Sequence, residues 1–272
     1  MIRKPSAILA AVILGPARIA YAIWTLLAFL AVGLTTLLLL LVLPGVARRR
    51  AAARTAARVF LRLAGMPLTV SFEERLPAGQ CVVVCNHASY LDGVVLTAAL
   101  PGRVGFVIKR EMASVPLAGA VLRRLGSEFV ERFDRRRGAR DTRRVLRNAR
   151  QGHALVFFPE GTFTPRPGLM KFHIGAFVAA TRAGCPVVPA VLRGTRRALP
   201  PGGLPCPGPI EMEILAPIAP GPVNSDHSAP ELRDRARTAI LAVLGEPDLT
   251  CCADTDRPPD TEPVRSAPAS RP

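Results

Sequence analysis

Residues 81–92, CVVVCNHASYLD, contain the pattern from which the fold is predicted. The first five residues are all apolar, as in a strand that is covered on both faces of a sheet. The polar residues Asn86 and His87 follow directly, and a helix is predicted after them. A strand, a short polar loop and a helix in this order are typical of open α/β sheets, which usually place ligands at the carboxyl ends of their strands.

The same alternation of short apolar runs and helical stretches continues beyond this segment. It predicts an α/β fold with a mostly parallel sheet flanked by helices. The predicted strands are Val82–Cys85, Val104–Ile108, Glu128–Val130, Leu155–Phe158, Val187–Leu192 and Ile210–Leu215. The predicted helices are Tyr90–Leu100, Pro116–Leu125, Asp141–Arg150, Gly175–Ala183 and Ala229–Leu244.

The chain divides into three parts by composition. The α/β domain is assigned to residues 51–245. Residues 246–272 are rich in Pro, Asp, Thr and Ser, so a disordered tail is predicted there. Residues 1–50 are predicted to form a membrane anchor with a basic flank, because no charged residue occurs from Ile19 to Ala47. A helical run of about 20 apolar residues is enough to cross a hydrocarbon core of ~30 Å.

The form of the anchor is open at this stage. A shorter apolar stretch, Ala7 to Pro16, precedes the long run, so one crossing helix and an interfacial hairpin are both compatible with the sequence. By the positive-inside rule, the arginines after the run place the domain on the cytoplasmic face of a cell inner membrane. The same arginines can lie on anionic lipid. They are Arg48, Arg49, Arg50, Arg54, Arg58 and Arg62.

The charge of the whole chain limits its partners. The formal net charge is +16, and arginines outnumber acidic residues eleven to four between residues 123 and 150. Such a surface suits anionic lipid, an acidic acyl carrier protein or nucleic acid, and a solvated face is the plain alternative. A 5% aromatic content and the predicted anchor argue against nucleic acid. The six cysteines include no C-x-x-C metal pair, so they are interpreted as buried or tail thiols in a reducing compartment.

His87 and Asp92 form the candidate catalytic pair. Histidine suits general-base work near neutral pH, and a carboxylate bonded to its second ring nitrogen fixes the tautomer. On a regular helix, residues five apart do not face each other. The two side chains can therefore meet only if His87 lies in the loop and Asp92 in the first helical turn. The alternative is structural, since Ser89-x-x-Asp92 resembles a capping box.

Four blocks together resemble the glycerolipid acyltransferase family, which contains the 1-acylglycerol-3-phosphate acyltransferases. The first block is Asn86-His87-x4-Asp92, and the others are residues 126–132 (GSEFVER), 158–162 (FPEGT) and 187–190 (VVPA). The resemblance covers about residues 65 to 220. It implies transfer of a fatty acyl group from acyl-CoA or acyl carrier protein to a lysophospholipid hydroxyl, with 1-acyl-sn-glycerol-3-phosphate favoured. The implied reaction needs neither a metal nor a cofactor, because the acyl donor is a substrate, and no metal-ligand spacing appears in the sequence. Another lysolipid acceptor, a hydrolase and a non-catalytic lipid-binding membrane protein are the alternatives.

The resemblance also implies roles for single residues. His87 is the expected base and Asp92 its orienting partner. Arg132 is expected to contact the acceptor phosphate, Glu160 to bind glycerol hydroxyls or to brace its loop, and Gly161 to allow close backbone approach. Lys109 and Thr162 complete the expected substrate-binding set.

The third block departs from the family pattern at one position. Phe163 follows Thr162, where phosphatidic-acid-forming members usually have Arg or Ser. Phenylalanine cannot bind phosphate, so either Lys109, Arg166 or Lys171 compensates or the acceptor differs. His173 is expected to be structural or to line the pocket.

Overall fold

The computed structural model describes residues 7–115, 118–130, 154–220 and 228–250. Within them, seven strands form one sheet in the order β1-β7-β6-β2-β5-β3-β4. The strands are β1 Leu68–Ser71, β2 Val82–Cys85, β3 Val104–Lys109, β4 Glu128–Val130, β5 Ala154–Phe157, β6 Val187–Arg193 and β7 Ile210–Ile214. The helices are α1 Ala7–Val42, α2 Val46–Leu63, α3 Asp92–Ala99, α4 Ala118–Arg124, α5 Gly175–Ala183, α6 Thr195–Ala198 and α7 Ser228–Leu244. Two short 3-10 turns, Glu73–Arg75 and Arg110–Ala113, complete the elements.

The sheet confirms the prediction of a mostly parallel α/β fold. All neighbouring strands run parallel except β6 and β7, which are antiparallel. Strand β1 was not predicted, because it is a four-residue edge strand in which half-buried and exposed residues alternate. The predicted helix Asp141–Arg150 lies outside the described residues.

Strand β2 lies in the middle of the sheet and explains the apolar run that predicts it. Val83 and Cys85 pack into the core on the side of α2 and α3. Val82 and Val84 face the other core, which α5 and α7 cover. All four side chains are fully buried, so the strand has no solvent-facing position to fill with a polar residue. The polar residues begin only where β2 ends, and this places the loop with His87 at the sheet edge.

Helices α1 and α2 form an antiparallel hairpin. Helix α1 is continuous and contains Pro16, so Ala7–Pro16 is not a separate hairpin arm. The second arm is α2, which packs back along α1: the Tyr21 hydroxyl donates to the Ala64 carbonyl at 2.6 Å, and the Phe29 and Phe60 rings lie 5.4 Å apart. In the described part of the chain, one segment, Gly15–Val42, is long and apolar enough to cross a membrane. Helix α2 continues through residue 50, the predicted boundary between anchor and domain.

Three arginines of α2 bind the α/β domain and do not point away from it. Arg54 and Arg58 donate to the Ala98 carbonyl at the carboxyl end of α3, and Arg54 also reaches Ala99. Arg50 donates to carbonyls that include that of Leu125, at 2.8 Å. Guanidinium groups at a helix carboxyl end satisfy its free carbonyls and its dipole. These arginines therefore join the hairpin to the domain, whereas Arg48 and Arg62 of the same cluster are exposed.

The prediction of a disordered tail is wrong for its first residues, 246–250. The Asp248 carboxylate pairs with Arg237 of α7 at 2.6 Å, and the Leu169 N–H donates to the Pro247 carbonyl at 2.9 Å. Composition does not reveal these partners, because they lie far away in sequence. The rest of the predicted tail, 251–272, lies outside the described residues.

Candidate active site

His87 and Asp92 meet at the carboxyl end of β2. His87 lies in the loop and Asp92 is the first residue of α3, which is the arrangement that the spacing requires. His87 Nδ1 lies 2.8 Å from Asp92 Oδ2. The histidine side chain is 17% exposed and the aspartate is fully buried. Part of the imidazole is therefore accessible from solvent, while its carboxylate partner is shielded from water.

Asp92 also organises the start of α3. Its Oδ2 accepts the backbone N–H groups of Ala88 at 2.7 Å and Ser89 at 2.9 Å. The bond from Ser89 is one half of a capping box, whereas the Ser89 hydroxyl accepts the Leu91 N–H at 3.1 Å. The catalytic and capping interpretations of Asp92 are thus compatible. The two backbone bonds fix the carboxylate oxygen that contacts the imidazole.

Asn86 is a positioning residue that sequence reasoning missed. Its side-chain amide donates to the Leu192 carbonyl at 3.0 Å and its Oδ1 accepts the Leu192 N–H at 2.7 Å. This pair of bonds ties the end of β2 to the neighbouring strand β6. The available sequence signal was a polar residue directly after an apolar strand, and the structure shows that this residue is 3% exposed, so its amide needs hydrogen-bond partners.

Glu160 braces the loop that carries His87. Its Oε1 accepts the His87 backbone N–H at 2.6 Å, and its Oε2 accepts the Met170 N–H at 2.9 Å. The side chain is 4% exposed, and burial raises the pKa of Glu160 to about 7. Of the two expected roles, the bracing role is the one for which the structure supplies partners.

Aromatic rings enclose the imidazole of His87. The Phe158 ring stacks on it with centroids 4.1 Å apart, and the Phe163 ring meets it edge-on at 4.6 Å. Tyr90, which is 76% exposed, packs edge-on against Phe163 at 4.7 Å. The residue that departs from the family pattern therefore touches the candidate base. Sequence reasoning missed Phe158 and Tyr90, which are not assigned a role by any short motif.

The other predicted site residues lie at the same edge of the sheet or outside the described chain. Lys109 ends β3, two strands from β2 in a parallel arrangement, and is half-buried. Gly161 has a φ of 78°, a left-handed conformation that suits glycine, and Thr162 is exposed. Arg132 lies outside the described residues. The His173 side chain is exposed, and its backbone N–H donates to the Pro159 carbonyl.

This arrangement can remove a proton from an alcohol. Asp92 accepts from Nδ1 and fixes the tautomer in which Nε2 carries the free lone pair. In the described part of the chain Nε2 has no hydrogen-bond partner. The negative charge of Asp92 would stabilise the imidazolium that forms when Nε2 takes a proton.

Comparisons with known proteins find similarity to acyltransferases. Residues 67–193 match the family model described as Acyltransferase. A chloroplastic 1-acyl-sn-glycerol-3-phosphate acyltransferase of Brassica napus is 33% identical over 149 residues, 53% of this chain and 43% of that protein. The lysophospholipid acyltransferase LPCAT4 of Homo sapiens is 37% identical over 116 residues, 41% of this chain and 21% of that protein. The match thus spans less than half the length of either relative.

A solved structure shares the fold. The crystal structure of PlsC, the 1-acyl-sn-glycerophosphate acyltransferase of Thermotoga maritima, superimposes with a TM-score of 0.68 and 19% identity. The superposition covers 83% of this chain and 95% of that one, so it includes more than the segment matched by the family model.

Proposed function

We propose that the chain, whose residues 67–193 match the family model described as Acyltransferase, transfers a fatty acyl group from an acyl thioester to the hydroxyl of a lysophospholipid. The observation that carries the proposal is the 2.8 Å contact between His87 Nδ1 and the buried carboxylate of Asp92. His87 Nε2 takes the proton of the acceptor hydroxyl as its oxygen attacks the thioester carbonyl. The C–S bond then breaks, and the imidazolium returns the proton to the leaving thiolate.

The reaction needs no nucleophile from the protein. The acceptor hydroxyl attacks directly, so the protein has to orient the base and exclude water. Glu160 accepts the backbone N–H of His87, and Asn86, the preceding residue, is tied to the main chain of Leu192 in β6. A hydrolase would use water in place of the lipid, and a non-catalytic lipid-binding protein would not need the buried carboxylate beside His87.

The acceptor we favour is 1-acyl-sn-glycerol-3-phosphate, the substrate after which the Brassica napus relative is named. Lys109, Arg132, Gly161 and Thr162 are the proposed substrate-binding residues, and the proposed role of Glu160 is to support the loop beside them. The acyl donor is acyl-CoA or acyl carrier protein, and either anionic donor suits the basic surface.

A second acceptor class follows from Phe163. Its ring packs against His87, so the position where an arginine would reach a phosphate monoester is apolar in this chain. A lysophospholipid whose phosphate is a diester carries less negative charge. Its binding therefore depends less on an arginine at position 163, and phenylalanine there weakens that binding less. The Homo sapiens relative is named a lysophospholipid acyltransferase, which fits such an acceptor.

For localisation we propose an interfacial hairpin at the cytoplasmic face of the cell inner membrane. A single helix that crosses the hydrocarbon core of a membrane is surrounded by lipid, but α1 has the arginine-rich α2 packed along it. If α1 crossed the membrane, α2 would have to enter the hydrocarbon core with it. The exposed Arg48 and Arg62 would then lie in hydrocarbon, at a cost of several kcal/mol. An interfacial position instead lets the exposed Leu30 and Leu34 of α1 enter the acyl region while these arginines contact anionic headgroups.

An assay of the purified protein in detergent tests the function. Labelled acyl-CoA and acyl carrier protein are offered with a panel of lysolipids. We expect acylation by the wild type and a rate lowered by roughly 10²–10⁴-fold in His87→Ala. His173→Ala is the matched control, since His173 is exposed and lies outside the pair. Full turnover by His87→Ala, or hydrolysis of the thioester without acylated lipid, would contradict the proposal.

A further inference from the structure

We infer that residues 246–250, named here the C-terminal strap, hold the loop of residues 160–170 in its catalytic position and so act through Glu160 on His87. The inference rests on the proposed function, because it gives the strap a role in that reaction. The strap and its arginine partners lie outside residues 67–193, which the family model matches. The similarity to the family model therefore says nothing about the role of the strap or of these arginines.

The strap binds the loop through the main chain. The Leu169 N–H donates to the Pro247 carbonyl at 2.9 Å, and the Leu249 N–H donates to the Leu169 carbonyl at 3.1 Å. These two bonds form a short parallel bridge between Leu169 and Asp248. Leu169 itself is fully buried, so its main chain has little freedom to exchange these partners for water.

The approach of strap and loop requires glycine at position 168. Gly168 has a φ of 139°, and a Cβ built there would lie 2.5 Å from Leu249 Cγ and 2.8 Å from the Pro247 carbonyl oxygen. The Gly168 N–H also donates to Glu246 Oε2 at 2.7 Å. Such a close approach of two backbones is one of the uses of glycine.

Two partly buried ion pairs lock the strap from outside. Arg237 of α7 contacts both oxygens of Asp248, at 2.6 and 2.9 Å, and donates as well to the Leu169 and Met170 carbonyls. Arg196 of α6 binds Glu246 at 3.1 Å and donates to the Thr164 carbonyl at 2.5 Å. Each guanidinium therefore joins strap and loop at once. Arg237 and Arg196 are 15% and 16% exposed, so these pairs are less screened than surface pairs.

The loop transmits this constraint to the candidate base. The Met170 N–H, next to the residue bridged by the strap, donates to Glu160 Oε2, and Glu160 Oε1 accepts the His87 N–H. One carboxylate thus joins a loop fixed by the strap to the main chain of the base. A shift of about 1 Å at a catalytic group can lower a rate by up to roughly 10²-fold. The strap residues are accordingly positioning residues, since none of them contacts His87.

Two truncations and one substitution test the role of the strap. The chain ending at Thr250 keeps the strap, and the chain ending at Gly245 lacks it. Asp248→Ala removes the contact to Arg237 and leaves the length unchanged, in case the shorter truncation does not fold. Asp234→Ala is the matched control, because Asp234 pairs with Arg233 on the same helix and is 63% exposed.

The measurements are kcat and KM, with kcat calculated from the concentration of folded protein, and the rates of amide hydrogen exchange. For the chain ending at Gly245 and for Asp248→Ala we expect kcat to fall by roughly 10- to 100-fold with KM nearly unchanged. The Gly168, Leu169 and Met170 amides should exchange faster in both. The chain ending at Thr250 and Asp234→Ala should keep the wild-type kcat. A lower fraction of folded protein with unchanged kcat would indicate a merely structural strap and overturn the inference.

Failure of the proposed function gives a different result. In that case the wild type acylates no lysolipid, or His87→Ala retains turnover. The exchange measurement needs no substrate. If the three amides exchange as slowly in Asp248→Ala as in wild type, the strap does not hold the loop, and this outcome overturns the inference even for an inactive protein.

Discussion

The backbone N–H of His87 donates to Glu160 Oε1 at 2.6 Å, between two residues that are 73 positions apart in the chain. The bond holds the main chain of the candidate base and leaves its ring free for chemistry. It also places a buried carboxylate close to Asp92, which together with burial favours the neutral form of Glu160. The pKa of Glu160 therefore lies at about 7, although hydrogen bonds from Met170 and His87 and the charge of Arg196 oppose the shift.

The first prediction concerns stability against pH. The pKa of Glu160 rises from 4.5 to about 7 on folding, so the folded state binds the proton more tightly. This contribution to the free energy of unfolding is complete below about pH 4.5 and is lost as the pH rises through 7. We expect wild type to lose on the order of 3 kcal/mol relative to Glu160→Gln between pH 4.5 and 8, measured by urea unfolding at each pH.

A control separates this effect from the other titrating groups. Glu231 is 66% exposed on α7, so Glu231→Gln should follow wild type at every pH. Parallel stability curves for wild type and Glu160→Gln would show that folding does not raise the pKa of Glu160.

The second prediction separates the catalytic role of Asp92 from its capping role. In Asp92→Asn, the Ala88 and Ser89 N–H groups should hold the amide oxygen where Oδ2 lies now, so the variant loses mainly the negative charge beside the imidazole. We expect kcat to fall by roughly 10²–10⁴-fold. The amide nitrogen would lie near Oδ1, which is buried without a partner in the described residues, so stability should fall by about 1–3 kcal/mol.

Ser89→Ala provides the comparison for Asp92→Asn. It removes the hydroxyl that accepts the Leu91 N–H and donates to the Leu199 carbonyl, and it leaves the His87–Asp92 contact in place. The melting temperature should fall while kcat changes by no more than a few fold. If Asp92→Asn lowers only the melting temperature, Asp92 is a helix cap and not a catalytic residue.

The fold class and the contact between His87 and Asp92 could be predicted from the sequence, because both depend on residues that are close together in the chain. An apolar run that ends in polar residues marks a central strand and its loop, and the spacing restricts how His87 and Asp92 can meet. Contacts that join distant segments were not predictable in this way. The Glu160–His87 bond, the Asn86–Leu192 pair and the strap all depend on the three-dimensional arrangement.

The arginines of α2 show that charge alone could not predict which residues contact lipid and which bind the α/β domain. In sequence, Arg50, Arg54 and Arg58 are indistinguishable from Arg48 and Arg62. Helix α2 packs against α3, and Arg50, Arg54 and Arg58 lie on the side of α2 from which they reach backbone carbonyls of the domain. The lipid-facing role predicted for the whole cluster is therefore left to the exposed members.

The third prediction concerns the acceptor. In Phe163→Arg, a guanidinium replaces the ring that meets His87 edge-on and can bind a phosphate monoester. A charge-assisted hydrogen bond contributes about 1.5–3 kcal/mol, so kcat/KM for 1-acyl-sn-glycerol-3-phosphate relative to a diester lysophospholipid should rise by roughly 10- to 100-fold. Competition assays with both acceptors in one mixture give this ratio directly.

Phe72→Arg controls for the added charge. Phe72 is 43% exposed and follows β1, which runs opposite to β2, so it lies at the other edge of the sheet from His87. Its acceptor ratio should equal that of wild type. A ratio that does not change in Phe163→Arg would mean that Phe163 does not determine the acceptor.

The last prediction concerns the membrane. Leu30 and Leu34 are 47% and 55% exposed and lie one helical turn apart on α1. Each buried leucine contributes about 1.5–3 kcal/mol, so Leu30→Glu with Leu34→Glu should weaken binding to anionic phospholipid vesicles by at least about 10²-fold in flotation assays. Arg235→Glu changes the net charge equally on α7, which covers the opposite face of the sheet, and should bind like wild type. Equal loss of binding in both variants would instead show that net charge, and not the apolar face of α1, holds the protein on the membrane.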